Sequence, residues 1–70
     1  MSQNNMIIRY LKTHKRGLTQ ADAVERFGCY RLSARISDLR EMGYDISTTM
    51  ETKKNRYGTP VTYARYKLEV

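Results

Sequence analysis

Residues 18–43 read LTQADAVERFGCYRLSARISDLREMG, and this stretch decides the fold. Thr19 is placed to cap a helix, because its hydroxyl accepts from an orphan backbone N–H. Asp22, three residues on, can reach back and complete a weaker version of the capping box. Leu18 can pack against Ala23 across that cap, and Val24 and Phe27 continue a buried face. Gly28 breaks this helix after about eight residues, too few to persist without packing. A second, longer helix is expected from about Tyr30 to Met42, with Gly43 stopping it. Leu32, Ile36 and Leu39 recur at i, i+4 and i+7, with Cys29 in phase, so they share one side. At about 100° per residue, Tyr30, Arg31, Ala34, Ser37 and Asp38 project from the other side, and Arg35 flanks them.

The flanking segments complete the pattern. Upstream, Asn4 or Asn5 can cap a first helix. In it Ile7, Tyr10, Leu11 and His14 form one apolar stripe, with Arg9, Lys12 and Lys15 mostly off it. Gly17 suits its C-terminal cap. His14 is read as a packed histidine and Cys29 as small and buried. Downstream of Gly43 the period changes to two. Tyr44, Ile46, Thr48 and Met50 alternate with Asp45, Ser47, Thr49 and Glu51, as in a half-buried strand. Residues 55–60 (NRYGTP) are turn chemistry. Thr62, Ala64, Tyr66, Leu68 and Val70 then share one face of a second run, opposite Val61, Tyr63, Arg65, Lys67 and Glu69. Two alternating runs around a turn make a β-hairpin.

Helix, short helix, glycine turn, amphipathic helix, hairpin is the order of a winged helix-turn-helix, mostly α with a β-hairpin as the wing. The whole chain of 70 residues is expected to be one such domain, with residues 1–5 flexible. A chain this short buries only about 60–65% of its unfolded surface, so every element must contribute to one core. In such a unit the second helix of the pair (about 30–42) enters the DNA major groove, and the wing (about 52–61) meets backbone or minor groove.

Charge supports a polyanionic partner. There are 13 Lys+Arg against 7 Asp+Glu, a net charge of +6. Residues 1–16 contribute +4 from Arg9, Lys12, Lys15 and Arg16. Residues 17–51 contribute −2, and residues 52–70 another +4. Other classes drop out. One cysteine forms no internal disulfide, and with a single histidine it makes no zinc set, so no metal or cofactor is expected. A lone thiol fits a reducing, cytoplasmic compartment. No apolar run approaches the ~20 residues of a membrane span. Residues 1–6 lack the basic and apolar regions of a signal peptide, and helix 1 lacks the large aromatic apolar face of a membrane binder. No enzyme is expected, since so short a chain leaves little room for a catalytic pocket and neither Ser33 nor Ser37 has a base placed beside it.

The run Phe27-Gly28-Cys29-Tyr30-Arg31-Leu32-Ser33-Ala34-Arg35-Ile36-Ser37-Asp38-Leu39-Arg40, followed by Gly43-Tyr44-Asp45-Ile46, resembles a small helix-turn-helix family common in bacteriophage and prophage genomes. Its members share an Arg-Ile-x-x-Leu-Arg helix and then Gly-Tyr-x-Ile. The closing strand from Gly58 through Val61-Thr62-Tyr63-Ala64-Arg65-Tyr66-Lys67-Leu68 is similar as well. The resemblance spans residues 6–69 and implies a DNA-binding fold in a bacterial host cell. One departure is Cys29-Tyr30, where many helix-turn-helix proteins carry Val-Ser; this removes the usual small cap of the third helix.

The candidate DNA contacts are Tyr30, Arg31, Ser33, Ala34, Arg35 and Ser37 on the recognition helix. On the wing they are Lys53, Lys54, Asn55, Arg56 and Tyr57. Thr19 and Gln20, at the start of helix 2, are candidates for a phosphate, although capping explains Thr19 equally well. Arg31 is the natural guanine reader, whereas Arg35 beside Asp38 also fits a surface ion pair. The expected partner is double-stranded DNA, bound by a transcriptional regulator or accessory factor. The alternative is an adaptor that docks on a host protein complex. No helix is left over for dimerisation, so monomer and edge-paired homodimer both stay open.

Overall fold

The computed structural model describes residues 3–69. In chain order they form α1 (Gln3–Thr13), β1 (Leu18–Thr19), α2 (Gln20–Phe27), α3 (Leu32–Glu41), β2 (Ile46–Lys54) and β3 (Pro60–Leu68). Met1, Ser2 and Val70, which the sequence reading put in a flexible start and on a strand face, lie outside the described residues. The strands make one antiparallel sheet in the order β1-β3-β2. The expected hairpin is present, but it is not the whole sheet. Leu18 and Thr19, read as staple and cap, also pair with Tyr66 and Arg65 of β3.

The core lies where the three helices meet the base of that sheet. Ile7, Ile8 and Leu11 of α1 pack with Leu18, Ala23, Cys29, Leu32, Ile36, Leu39 and Ile46. Cys29 and the α3 trio are buried as their spacing requires. α1 starts at Gln3 and ends at Thr13, short of Gly17. The Thr13 hydroxyl donates to the Arg9 and Tyr10 carbonyls at 3.2 and 3.1 Å, and the Tyr10 carbonyl also accepts from the His14 N–H at 2.9 Å. His14 is therefore not a core residue. The helix ends at Thr13, and the core side of α1 is made by Ile7, Ile8 and Leu11. The exposed His14 ring stacks on Tyr10, with centroids 3.8 Å apart and planes 4° from parallel.

Gly17 does something other than cap α1. Its φ is +85°, and a Cβ there would collide with the Tyr66 carbonyl oxygen and approach Lys67 Cγ to 2.7 Å. Only glycine lets the chain pass this close to β3, and β1 begins at the next residue.

The hairpin is covered only at its base. Ile46 is the one residue of β2 that is buried. Met50, expected on a half-buried face, is 62% exposed, and Thr48 is exposed too. Alternation decides which face a residue takes, but no helix extends far enough to cover the distal part of that face. The hairpin accordingly projects from a molecule measuring 38 × 23 × 20 Å. Its free part is held by register from Ile46↔Leu68 to Lys54↔Pro60. The Thr52 and Thr62 hydroxyls add a cross-strand contact at 3.2 Å.

Gly17→Ala combines a steric clash with backbone strain and should lower stability by about 2–4 kcal/mol. Gly58→Ala, at φ +78° with nothing within 4 Å of the added methyl, isolates the strain. It should cost about 1–2 kcal/mol. Urea denaturation of the two variants tests the difference, and equal losses would mean that the approach to Tyr66 contributes nothing.

Candidate nucleic-acid interface

The interface is assembled by polar groups that tie backbone ends together. The α2 cap is the expected box. Thr19 Oγ1 accepts from the Asp22 N–H at 3.2 Å, and the Asp22 carboxylate accepts from the Thr19 N–H at 3.4 Å. At the other end Gly28 adopts φ +63°, and its N–H and that of Cys29 return to the Val24 and Ala23 carbonyls. α3 then begins at Leu32, two residues later than expected. Arg31 sits at its N-cap with φ −129° and ψ 61° and makes no side-chain cap bond. The cap comes from elsewhere. The Gln20 amide donates to the Cys29 carbonyl at 2.9 Å and accepts from the Leu32 N–H at 3.0 Å. One side chain thus spans the turn and fixes the start of α3 against the start of α2.

Arg40 fixes the other end. Its Nε and Nη2 donate to the Ile46 carbonyl at 3.0 and 2.7 Å, and Nη2 also reaches Thr48 Oγ1 at 2.9 Å. This fork sets the angle between α3 and the wing. The wing tip is closed by Asn55, whose Oδ1 accepts from the N–H groups of Tyr57 and Thr59 at 2.9 and 3.1 Å. Its turn is an ordered one rather than a slack loop.

These ties determine where the candidate residues stand. Tyr30, 77% exposed, lies in the turn before α3. Arg31, Ser33 and Ser37 are exposed, while Ala34 and Arg35 are half-buried. Arg35 pairs with Asp38 at 3.2 Å, the ion pair that their spacing allowed. Lys53, Lys54, Asn55, Arg56 and Tyr57 are all exposed on the wing, Tyr57 at 84%. Thr19 is only 6% exposed with its hydroxyl in the cap, and the Gln20 amide is occupied by the turn. The start of α2 and the stem of the wing nevertheless border one depression of about 260 Å³, lined by Gln20, Ala21, Lys53 and Tyr63 among others.

Arg65, which in the sequence is one charge of the last basic segment, has a definite structural role. Its Nε donates to Glu51 Oε1 at 2.9 Å and its Nη1 to the Arg16 carbonyl at 3.3 Å. It joins the wing stem to the link between α1 and β1. The bond from Arg65 holds the Glu51 carboxyl below its ordinary range, aided by the Tyr63 hydroxyl, and Arg65 is raised in turn.

Three helices, a short first strand entering the helix pair, and a hairpin after the exposed helix are now established, and one family covers nearly the whole chain. The family described as winged helix-turn-helix domain matches residues 2–70. The chain belongs to it. No curated protein and no solved structure matches the chain. Membership in the winged helix-turn-helix family suggests double-stranded DNA as partner, and such domains are typically binding modules rather than enzymes. Among the described residues no helix is long and apolar enough to cross a membrane.

Two predictions test the ties of this winged helix-turn-helix domain. Arg40→Ala removes a fork on a partly exposed site and should cost roughly 1–2 kcal/mol. Arg40→Lys, which keeps the charge but not the fork, should recover less than half of that in urea denaturation; full recovery would show that charge alone matters. The second concerns pH. Because the Glu51 carboxyl is depressed, its ion pair stabilises the fold above the ordinary value of 4.5 and is lost as pH falls through the lower folded value. Wild type should therefore lose its stability advantage over Glu51→Gln progressively below pH 4.5. A constant difference across that window would assign the effect to packing.

Proposed function

We propose that this protein binds double-stranded DNA without chemistry, as a transcriptional regulator or accessory factor of the phage type suggested by Arg35-Ile36-x-x-Leu39-Arg40 and Gly43-Tyr44. The observation that carries the reading is the joint exposure of Arg31 at the N-cap of α3, of Ser33 and Ser37 along it, and of Lys53, Lys54 and Arg56 on the wing. α3 enters the major groove with its N-terminal end foremost. Arg31 reads a base edge, and Tyr30 and Ser33 stand beside it. The wing cations hold phosphate or the minor groove. Ala34 and Arg35 take a lesser part, because the first is half-buried and the second is engaged by Asp38. At the start of α2 the Thr19 hydroxyl and the Gln20 amide are engaged within the fold, which leaves these two side chains no part in holding a phosphate.

Duplex titration at several salt concentrations tests this. Wild type should give a steep negative log–log slope, near −0.9 for each phosphate neutralised. A slope near zero would overturn the reading. Arg31→Ala should flatten discrimination between sites by ~1–3 kcal/mol. Lys54→Ala should weaken all duplexes alike and make the slope about one unit shallower. Retention of a host protein after nuclease treatment, together with a flat slope, would favour the adaptor reading instead.

A further inference from the structure

The cations do not end at the wing: Arg16 is exposed, and Arg65 and Lys67 are half-buried. Register fixes two faces of the sheet. Ile46 and Leu68 turn toward the core, so Ser47, Thr49, Glu51 and Lys53 and their partners Lys67, Arg65, Tyr63 and Val61 take the outer face. Lys53 and Lys67 are therefore cations on one face, about 20 Å apart at 3.3 Å per residue. Between them Arg65 reaches across to the Arg16 carbonyl. The Lys67 stem lies over Gly17, close enough that an added Cβ would meet its Cγ. Arg16, Glu51, Arg65 and Lys67 border one open depression of about 330 Å³. Lys15 borders a neighbouring depression together with Lys67.

The acids on this surface offset the cations only in part, Glu51 facing Lys67 as well as Arg65. Glu51 is paired with Arg65, and Asp22 is held in the α2 cap. Among the described residues no carboxylate lies within ion-pair distance of Lys15, Arg16 or Lys67. Asp45 and Glu69 mark where the cationic strip ends. At its other end the strip is continuous with Lys53, since Arg65 also lines the depression between the wing stem and the start of α2.

We infer that Arg16 and Lys67, with Lys15 beside them, form a second phosphate-contact site, which takes the backbone of DNA that continues from the wing stem back along the outer face of the sheet. This inference rests on the DNA-binding reading above and adds a place and a length to it. A separation of about 20 Å corresponds to roughly six base pairs at 3.4 Å rise. The site therefore engages only when the duplex continues beyond what α3 and the wing cover. Contact by two cations contributes about −1.8 to the salt slope. An acidic protein surface is the competing occupant of the same strip.

The test compares wild type with Arg16→Gln/Lys67→Gln on duplexes of about 12 and about 24 base pairs, each titrated at several salt concentrations. Glutamine keeps much of each stem, and the Arg65 bond goes to the Arg16 backbone, so urea denaturation should show an unchanged midpoint. On the longer duplex the double variant should lose about tenfold in affinity at low salt, and its slope should be shallower by about 1.8. On the shorter duplex the two proteins should coincide. Equal weakening on both lengths would reduce the effect to general charge and overturn the site. An unchanged slope on the longer duplex, with wild type still steep, would also overturn it and leave the strip to an acidic protein. A flat wild-type slope on both duplexes would instead overturn the DNA-binding reading itself.

Discussion

The close passage of Gly17 beside the Tyr66 carbonyl governs where sheet and helices meet. With φ +85° and no side chain, Gly17 lets the next two residues lie along β3. Pairing of Leu18 with Tyr66 seals the core on one face, where Leu18 is fully buried. Pairing of Thr19 with Arg65 fixes the residue that caps α2. The next residue, Gln20, holds the start of α3. An approach between two backbones is thus transmitted over four consecutive residues to the start of α3. A strand of two residues is too short to be stable alone, and it persists because its ends are fixed by a glycine and by a helix cap.

From there the exposed helix is held at both ends by side chains that satisfy other segments' backbone groups. Gln20 supplies the cap that Arg31 lacks, and Arg40 supplies donors to the Ile46 carbonyl. A buried or half-buried backbone group left without a partner costs about 1–3 kcal/mol, so these bonds constrain geometry more than they add net stability. The arrangement also explains why Arg40 differs from its neighbour Arg35 on the same helix. Arg35 faces Asp38 on the helix surface, where an ion pair contributes little. Arg40 faces a carbonyl at the root of the wing, where a planar fork fits and a lysine does not.

What was legible in the sequence was local. Thr19 and Asp22 are three residues apart, so their mutual capping follows from spacing alone. Gly28 and Gly43 stop helices by their own backbone freedom, and Leu32, Ile36 and Leu39 define a buried side by period. The residues that tie segments together left no such trace. Gln20 reaches partners nine and twelve residues away, and both partners are backbone atoms, which no pattern of side chains reveals. β1 was missed because two residues carry no periodicity. Met50 was misplaced because alternation says nothing about whether a layer covers the chosen face. The exposure of Arg31, Ser37 and the wing residues follows from period and turn chemistry alone. The start of α3 moved because Cys29-Tyr30 offers no cap, which leaves Tyr30 in the turn.

Charge separated along the chain becomes a different separation in space. Arg16 belongs to the first basic segment and Arg65 and Lys67 to the last, yet they border the same depression. The middle segment carries six of the seven acids, and three of these are engaged: Asp22 in a cap, Asp38 with Arg35 and Glu51 with Arg65. Of the others, Glu41 and Asp45 lie at and just beyond the C-terminal end of α3, where the helix dipole is also negative. The N-terminal end of α3 has the opposite character, with Arg31 at its cap and the positive end of the dipole behind it. A polyanion is therefore drawn to one end of the exposed helix and repelled from the other. Net charge alone carries no such polarity; it arises because Arg31 stands at the N-terminal cap of α3 while Glu41 and Asp45 stand at and just beyond its C-terminal end.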